Sequence, residues 1–214
     1  VVCLGAGINS TTGLPVTTSV NQSFLNGEVL VKAKSEKTVP AESSESVSPQ
    51  WILHDQAGYF FPEGGTLKLE TKTVTGSWHA VAAMYKDEPI KAGIFKLWFE
   101  HGANPAGKSY AYCVVPKASK AKMQQMEAKP TFRIVKNDAA QQTVVSADQK
   151  WAGVAFYQAG KSGVFGGIES DKPCVVMLKS EKKGLSVSVS DPTQKLAQIK
   201  LTLKGNFQSE NLND

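Results

Sequence analysis

The residue types that most often do chemistry in proteins are sparse in this sequence, which has three histidines. His54 precedes Asp55, but neighbouring residues of a strand point to opposite faces, so this pair predicts a turn-facing His-Asp at a strand end rather than a catalytic pair. His101 follows Glu100 at the start of a glycine-containing loop, without a nucleophile, a base and an orienting group nearby in the sequence. We therefore expect no catalytic residue in this chain.

Other signatures of enzymes and cofactor sites are also missing from the sequence. There is no Gly-x-Ser-x-Gly elbow, and the glycine-rich segments 5–7 and 163–167 fit neither a dinucleotide-binding fingerprint nor a phosphate-binding loop. The cysteines Cys3, Cys113 and Cys174 are far apart, and each lies in an apolar run without a second metal ligand. They predict buried free thiols. The sequence thus predicts no metal site and no cofactor.

The four tryptophans, Trp51, Trp78, Trp98 and Trp151, are the best candidates for contact with a ligand. Aromatic faces complement the apolar faces of sugar rings, while nearby polar groups bond to the hydroxyls. Each tryptophan also lies inside or at the start of a predicted strand, so a place in the core is favoured for the group as a whole. Trp78 and His79 follow a Gly-Ser pair, and we predict that these two residues contact a substrate.

Charge and composition narrow the classes of partner. The 214 residues carry a formal net charge of +5 and have a sequence pI near 9.0, which favours a polyanionic partner. All cations except Arg133 are lysines scattered between acidic residues, whereas arginine is the side chain best suited to reading bases and phosphates. No apolar stretch is long enough to cross a bilayer. The composition therefore predicts neither a nucleic-acid partner nor a membrane partner.

Apolar residues come in short runs with a period of two, separated by Gly, Pro, Asn, Asp and Ser. The clearest alternation, in 185–190 and 199–203, predicts strands with one buried face. The pattern as a whole predicts an all-β chain of antiparallel strands. Further strands are predicted at the apolar start of the chain and at 16–20, 29–33, 51–54, 59–61, 66–74, 78–84, 94–100, 110–115, 131–135, 143–145, 151–157 and 174–178.

Two segments depart from this pattern. Residues 118–128 predict a short helix, with Ser119 as its N-cap and Pro130 beyond its end. Because the helix separates two blocks of strands, we place a domain boundary near residue 128, between domains at 1–128 and 129–214. Residues 35–49 are polar and predict a mobile surface loop or an insertion. The apolar start at Val1 predicts a strand without upstream partners, so we expect the C-terminal part of a longer polypeptide.

Six pieces of the sequence are recognisable when they are taken together. They are VCLGAGI (2–8), VTTSVNQ (16–22), WILHDQAGYFFP (51–62), GSW (76–78), LWFEHG (97–102) followed by YAYCVVP (110–116), and VSDPTQ (189–194). In order and spacing they resemble the C-terminal β region of polysaccharide lyase family 8, which includes chondroitin AC and ABC lyases, hyaluronate lyases and xanthan lyases. The resemblance implies a large antiparallel β-sandwich, part of the super-sandwich, then a short helix and a small C-terminal antiparallel β-sandwich.

The resemblance also implies a lyase that cleaves a uronic-acid-containing glycosaminoglycan, of the chondroitin or hyaluronan type, by β-elimination. In the family, Asn and His neutralise the uronate carboxylate, Tyr transfers the proton and Arg helps to hold the site, all within an N-terminal helical toroid. No residue of this chain matches them. The implied role is therefore a scaffold that packs on the toroid of the same polypeptide, lines the cleft for an acidic polysaccharide and is inactive alone. A secreted or periplasmic location is implied as well.

A free-standing carbohydrate-binding or adhesion module is the alternative. A piece of a lyase should expose a large apolar patch where its toroid is missing, whereas a binding module should present a polar surface with one aromatic platform. Affinity for sulfated glycans that is lost in Trp78→Ala would favour the module.

Overall fold

The computed structural model describes residues 1–182 and 184–205, which fold as two compact units divided in the chain between Lys129 and Pro130. Within this described part, the strands of both units pair antiparallel, and a single α-helix closes the first unit. The structure therefore confirms the all-β fold class that the period-two alternation predicts.

The first unit is described throughout and contains ten strands in two sheets. Its strands are β1 (Val2–Ile8), β2 (Pro15–Phe24), β3 (Val29–Lys32), β4 (Glu36–Val39), β5 (Ser43–Val47), β6 (Trp51–His54), β7 (Ala57–Phe60), β8 (Leu67–Gly76), β9 (Ile90–Ala103) and β10 (Lys108–Val115). One sheet has the order β1-β10-β7-β6-β3-β4, and the other has the order β2-β9-β8-β5.

The inner faces of these two sheets form one hydrophobic core. Val31 and Ile52 from the six-stranded sheet pack with Leu69, Phe95 and Leu97 from the four-stranded sheet, and none of the five is exposed to solvent. The burial of so many large apolar side chains is the main stabilising contribution to this unit. The first unit is thus the large antiparallel sandwich that the sequence predicts.

The loop or insertion predicted over residues 35–49 is wrong, because this segment forms β4 and β5. These strands lie at the free edges of the two sheets, β4 beside β3 and β5 beside β8. Thr71 on β8 stabilises the connection between β4 and β5. Its Oγ1 donates to the carbonyl of Pro40 at 2.8 Å and accepts the N–H of Ser43 at 3.1 Å. Polar and charged residues are typical of edge strands, which explains the loop-like composition.

The single helix described, α1 (Lys120–Ala128), confirms the predicted helix and its cap. The Ser119 Oγ accepts the backbone N–H of Lys122 at 3.3 Å, and Met123 and Met126 are buried. Met123 packs against Gly58 of β7, where a Cβ atom would lie 2.2 Å from the methionine sulfur. The absence of a side chain at residue 58 is therefore what lets the helix approach the sheet.

The second unit is a smaller sandwich, described over 130–182 and 184–205. Its strands there are β11 (Phe132–Asn137), β12 (Gln141–Ser146), β13 (Trp151–Phe156), β14 (Gly160–Ser162), β15 (Ile168–Ser170), β16 (Cys174–Glu181), β17 (Gly184–Ser190) and β18 (Leu201–Leu203). A five-stranded sheet, β11-β12-β13-β16-β17, packs on a three-stranded sheet, β14-β15-β18. Val154 and Val176 of the first meet Ile168 of the second in the core. This arrangement confirms the predicted small sandwich.

The three cysteines are free thiols, as predicted. Cys113 and Cys174 are buried, whereas Cys3 is half-buried beside the core of the first unit. Burial raises the pKa of the Cys113 thiol, which keeps it protonated and unreactive at neutral pH. Cys113 therefore acts as a small apolar residue.

Candidate functional site

Strands β8 and β9 form a long hairpin whose connection holds both residues that the sequence predicts to contact a substrate. The strand pairing runs from Leu67 opposite Phe99 to Gly76 opposite Ile90. We call residues 77–89 the hairpin tip. Its conformation depends on Ser77, whose Oγ accepts the N–H of His79 at 3.2 Å and donates to Asp87 Oδ1 at 2.7 Å. This one hydroxyl therefore caps the start of the tip and connects it to the end.

The strand predicted over residues 78–84 is wrong, because the tip folds as a 3-10 turn over Trp78–Ala80 followed by further turns. The Trp78 carbonyl accepts the N–H groups of Val81 at 3.0 Å and Ala82 at 2.9 Å. A serine cap followed by alanines favours a helical turn over an extended strand. The apolar residues of the tip are consequently not drawn into a sheet.

Large apolar side chains of the tip are exposed to an extent that is unusual for a folded domain. Trp78 is 60% exposed, and its ring lies 6.4 Å from that of Tyr85, which is 54% exposed. Val81 and Met84 of the tip are also exposed, Met84 to 87%, as is Ile90 at the start of β9. The tip therefore presents an apolar surface with an aromatic pair. The sequence analysis identified Trp78 but missed Tyr85, since their proximity depends on the turn.

His79 stabilises the conformation of the hairpin tip. Its Nδ1 lies 2.8 Å from the carbonyl oxygen of Tyr85, at hydrogen-bonding distance. This contact holds the segment that carries Tyr85 close to the turn that carries Trp78. The structure thus brings Trp78 and His79 together at one place, with the indole exposed and the imidazole bonded to the backbone.

The other tryptophans do not join Trp78 in one platform. Trp51 is completely buried, and Trp98 is half-buried on β9 opposite Ser19. Trp151 belongs to the second unit, where it is 46% exposed on β13. The prediction that the tryptophans lie in the core is correct for Trp51 and wrong for Trp78 and Trp151.

His54 and Asp55 lie at the end of β6 and do not form a catalytic pair. The His54 ring is buried against Phe95, with ring centroids 4.4 Å apart, and its Nε2 accepts the backbone N–H of Asn26 at 3.2 Å. Asp55 adopts a positive φ of 45° in the turn, and its Oδ2 accepts the side-chain amide of Asn26 at 3.2 Å. The predicted position facing the turn is therefore correct for Asp55 and wrong for His54, whose ring is buried against the core.

His101 is likewise a structural residue. It is buried on β9, where its Nε2 lies 2.8 Å from the hydroxyl of Thr18 and its ring stacks on Phe99. Glu100, the residue before it, is exposed on the opposite face. The Glu100 and His101 side chains consequently do not converge on a site.

The two buried histidines predict a pH dependence of stability. Burial lowers the pKa of His54, although the Asp55 carboxylate opposes the shift, and burial together with Lys108 lowers the pKa of His101. As pH falls below the ordinary value of about 6.5, the unfolded chain takes up protons before the folded one, so stability decreases. We expect the free energy of unfolding to fall by at most about 1.4 kcal/mol per pH unit for each histidine.

Urea titrations of the first unit's transition between about pH 7 and 5 measure this slope above the range in which carboxylates titrate. His54→Gln and His101→Gln should each reduce the slope, whereas the exposed His79→Gln serves as the control. A wild-type stability that is constant over this range would contradict the assignment.

In the described ranges, 1–182 and 184–205, no three His, Cys, Asp or Glu side chains are grouped so that they could hold a metal ion. In the same ranges no helix has the length and apolar character required to span a membrane. The exposed aromatic pair of Trp78 and Tyr85 makes the hairpin tip the candidate site of the first unit.

The order of domains in this chain is that of one enzyme family. The profile of the polysaccharide lyase family 8 super-sandwich domain matches residues 1–127, and that of the family's C-terminal beta-sandwich domain matches residues 133–200. The chain therefore belongs to polysaccharide lyase family 8, as the resemblance of its six sequence pieces implies.

Individual relatives support the same assignment. Chondroitinase-AC of Pedobacter heparinus is 35% identical over 95% of this chain and 29% of the relative, and xanthan lyase of Bacillus sp. is 30% identical over 91% and 22%. A solved chondroitinase AC lyase superposes with a TM-score of 0.85 at 35% identity, covering 94% of this chain and 30% of that chain. Paenibacillus xanthan lyase gives a TM-score of 0.85 at 28% identity, covering 94% and 20%. The chain spans less than a third of the length of these relatives.

Proposed function

We propose that the whole protein is a polysaccharide lyase that cleaves a uronic-acid-containing glycosaminoglycan, of the chondroitin or hyaluronan type, by β-elimination. The observation that carries this proposal is the match of two consecutive family 8 domains to a chain that covers less than a third of its relatives. The relatives are named as lyases of chondroitin, hyaluronate and xanthan, which are acidic polymers. The positive net charge of the chain is suited to such a substrate.

The role proposed for this chain is that of a non-catalytic scaffold. Its buried histidines are bonded to Asn26 and Thr18, and its family relatives are more than three times as long. The exposed apolar surface of the hairpin tip supports a partner in the remainder of the same polypeptide, an N-terminal helical domain that would cover Val81 and Met84. The elimination would then take place on residues of that domain.

Trp78 and His79 are proposed to line the substrate cleft. The exposed indole of Trp78 beside Tyr85 offers a surface on which a sugar ring can stack, and His79 keeps the two aromatic residues together. A large polymer does not cross membranes, so a secreted or periplasmic location is proposed as well. A signal peptide at the start of the full-length gene product would support that location.

The test compares the full-length gene product with the isolated chain 1–214 on chondroitin, hyaluronan and xanthan. Formation of the unsaturated uronate is followed by its ultraviolet absorbance. We expect turnover of an acidic polymer by the full-length protein and no detectable turnover by the isolated chain. Turnover by the isolated chain would refute the scaffold role, and failure of the full-length protein on all three polymers would refute the proposed activity.

A second measurement tests the cleft. In the full-length protein, Trp78→Ala should raise KM more than it lowers kcat, because the indole would contact the substrate without taking part in the proton transfer. Phe24→Ala, which removes an equally exposed aromatic ring from the end of β2, is the control. The module alternative would be supported if the isolated chain bound sulfated glycans tightly and lost this affinity in Trp78→Ala.

A further inference from the structure

The outward face of the five-stranded sheet in the second unit has an unusual composition along β13. Alternation along this strand places Ala152, Val154 and Phe156 in the core and turns Trp151, Gly153 and Ala155 outward. Trp151 is 46% exposed, so a large apolar side chain is in contact with solvent on this face of the sheet.

A second aromatic residue lies on the same face. Tyr157 follows β13 and is 55% exposed, and its hydroxyl donates to Gln142 Oε1 at 2.9 Å. Gln142 is paired with the outward-facing Ala155, so the tyrosine lies on the side of the sheet that carries Trp151. Six residues of strand separate the two aromatics, which is about 20 Å. On this face of β13 only the small residues Gly153 and Ala155 lie between the two rings, and we call the strip of sheet between the rings the trough.

The neighbouring strands complete the floor and one side of this trough. Val175 and Met177 of β16 pair with Ala155 and Gly153 and are both largely exposed. On β17, the next strand, a row of exposed serine hydroxyls lies on the same face; the row is formed by Ser186, Ser188 and Ser190. An apolar floor between aromatic rings, with hydroxyls along one side, is complementary to the apolar and polar faces of pyranose sugars.

The charged side chains at the trough indicate which class of sugar this surface would bind. The Lys179 ammonium group lies 5.0 Å from the centroid of the Trp151 ring, and it is paired with Glu181 Oε1 at 3.0 Å. In the turn before β13, the Asp148 carboxylate accepts the Ser146 hydroxyl at 2.6 Å. Residues 130–205 carry eleven Lys and Arg against six Asp and Glu. The cation at the trough and the positive balance of the unit favour an anionic chain.

We propose that this face of β13, β16 and β17 is a binding surface for a uronic-acid-containing polysaccharide. Sugar rings stack on Trp151 and Tyr157, serine hydroxyls bond to the ring hydroxyls, and Lys179 pairs with a carboxylate or sulfate group. The identity of the ligand rests on the proposed function, whereas the aromatic trough is a property of this chain. Such a surface would hold a polymer on the protein between cleavage events.

The test measures the affinity of the intact 1–214 chain for chondroitin sulfate, hyaluronan and the neutral polymer dextran by affinity electrophoresis and calorimetry. We expect Trp151→Ala and Tyr157→Ala each to weaken binding of the acidic polymers by about tenfold, as expected for loss of one stacked ring. Glu181→Gln should strengthen binding, because it removes the carboxylate that competes for Lys179. Phe24→Ala, which removes an exposed aromatic ring from the end of β2 in the first unit, is the matched control.

Ser188→Glu keeps the test decisive if an aromatic variant does not fold, because it adds a negative charge at an exposed position. It should weaken binding of acidic polymers. Equal affinity for dextran, binding unaffected by Trp151→Ala and Tyr157→Ala, or no binding at all would overturn the proposal. Lyase activity of the full-length protein is measured separately: activity without binding by this chain refutes the surface alone, and binding without activity refutes the proposed function alone.

Discussion

Phe95→Ala is expected to destabilise the first unit by about 3–5 kcal/mol, a large part of the 5–15 kcal/mol that typically stabilises a domain. Phe95 is completely buried on β9, its ring lies 4.4 Å from that of His54 and 6.2 Å from that of Tyr59, and β9 is the central strand that pairs with both β2 and β8. Removal of the ring leaves a cavity between the two sheets. Because β9 also carries one side of the hairpin tip, the change should loosen the support of Trp78.

Urea denaturation followed by tryptophan fluorescence measures this effect, because Trp51, Trp78 and Trp98 all lie in the first unit. Phe24→Ala is the control: it deletes the same ring from an exposed position at the end of β2 and should change stability by no more than about 0.5 kcal/mol. A loss below about 1 kcal/mol for Phe95→Ala, with an unchanged denaturant slope, would show that residue 95 is not packed between the sheets.

The core of each unit was predictable because buried strands follow a period of two. The apolar run at 51–54 predicts β6, and the alternation of 185–190 predicts β17. The buried face predicted for 185–190 is wrong, however, because Val187 and Val189 are exposed. The strand expected at 199–203 is shorter in the structure, where β18 covers Leu201–Leu203. Alternation thus predicts that a segment is a strand, whereas burial of its apolar face depends on whether the opposite sheet covers it.

The departures occur where burial does not decide the conformation. β4 and β5 are edge strands with few inward residues, Val39 and Val47 among them, so their sequences are too polar to stand out. The hairpin tip folds through hydrogen bonds of Ser77 to His79 and Asp87, and the Asp87 partner is ten residues away. No local sequence pattern predicts such a contact.

The same reasoning explains which parts of the candidate sites could be predicted from the sequence. Trp78 was identifiable from its residue type and its place after a Gly-Ser pair, whereas its proximity to Tyr85 depends on the turn. The trough on β13 was hidden, since Trp151 and Tyr157 look like two ends of an ordinary strand until Gln142 places them on one face. Residue types suggest ligand contact, but exposure and side-chain direction, which depend on tertiary structure, decide it.

Trp51→Ala is expected to lower the free energy of unfolding by about 3–5 kcal/mol. This loss has two parts, the loss of buried volume and the loss of a hydrogen bond. Trp51 is completely buried at the start of β6, and its Nε1 donates to Glu127 Oε2 of α1 at 2.8 Å. The side chain therefore both fills the core and attaches the helix that leads to the second unit. Trp51→Phe retains most of the volume but loses the donor, so it should cost about 1.5–3 kcal/mol, the range for a hydrogen bond to a charged group.

Glu127→Gln completes the series, because the amide oxygen still accepts the indole N–H while the charge is lost. It should cost less than Trp51→Phe, so the expected order of destabilisation is Trp51→Ala, then Trp51→Phe, then Glu127→Gln. Denaturation followed by circular dichroism measures all three without relying on the replaced indole. An equal loss in the alanine and phenylalanine variants would mean that the hydrogen bond, and not the packing of the Trp51 ring, accounts for the contribution of this side chain to stability.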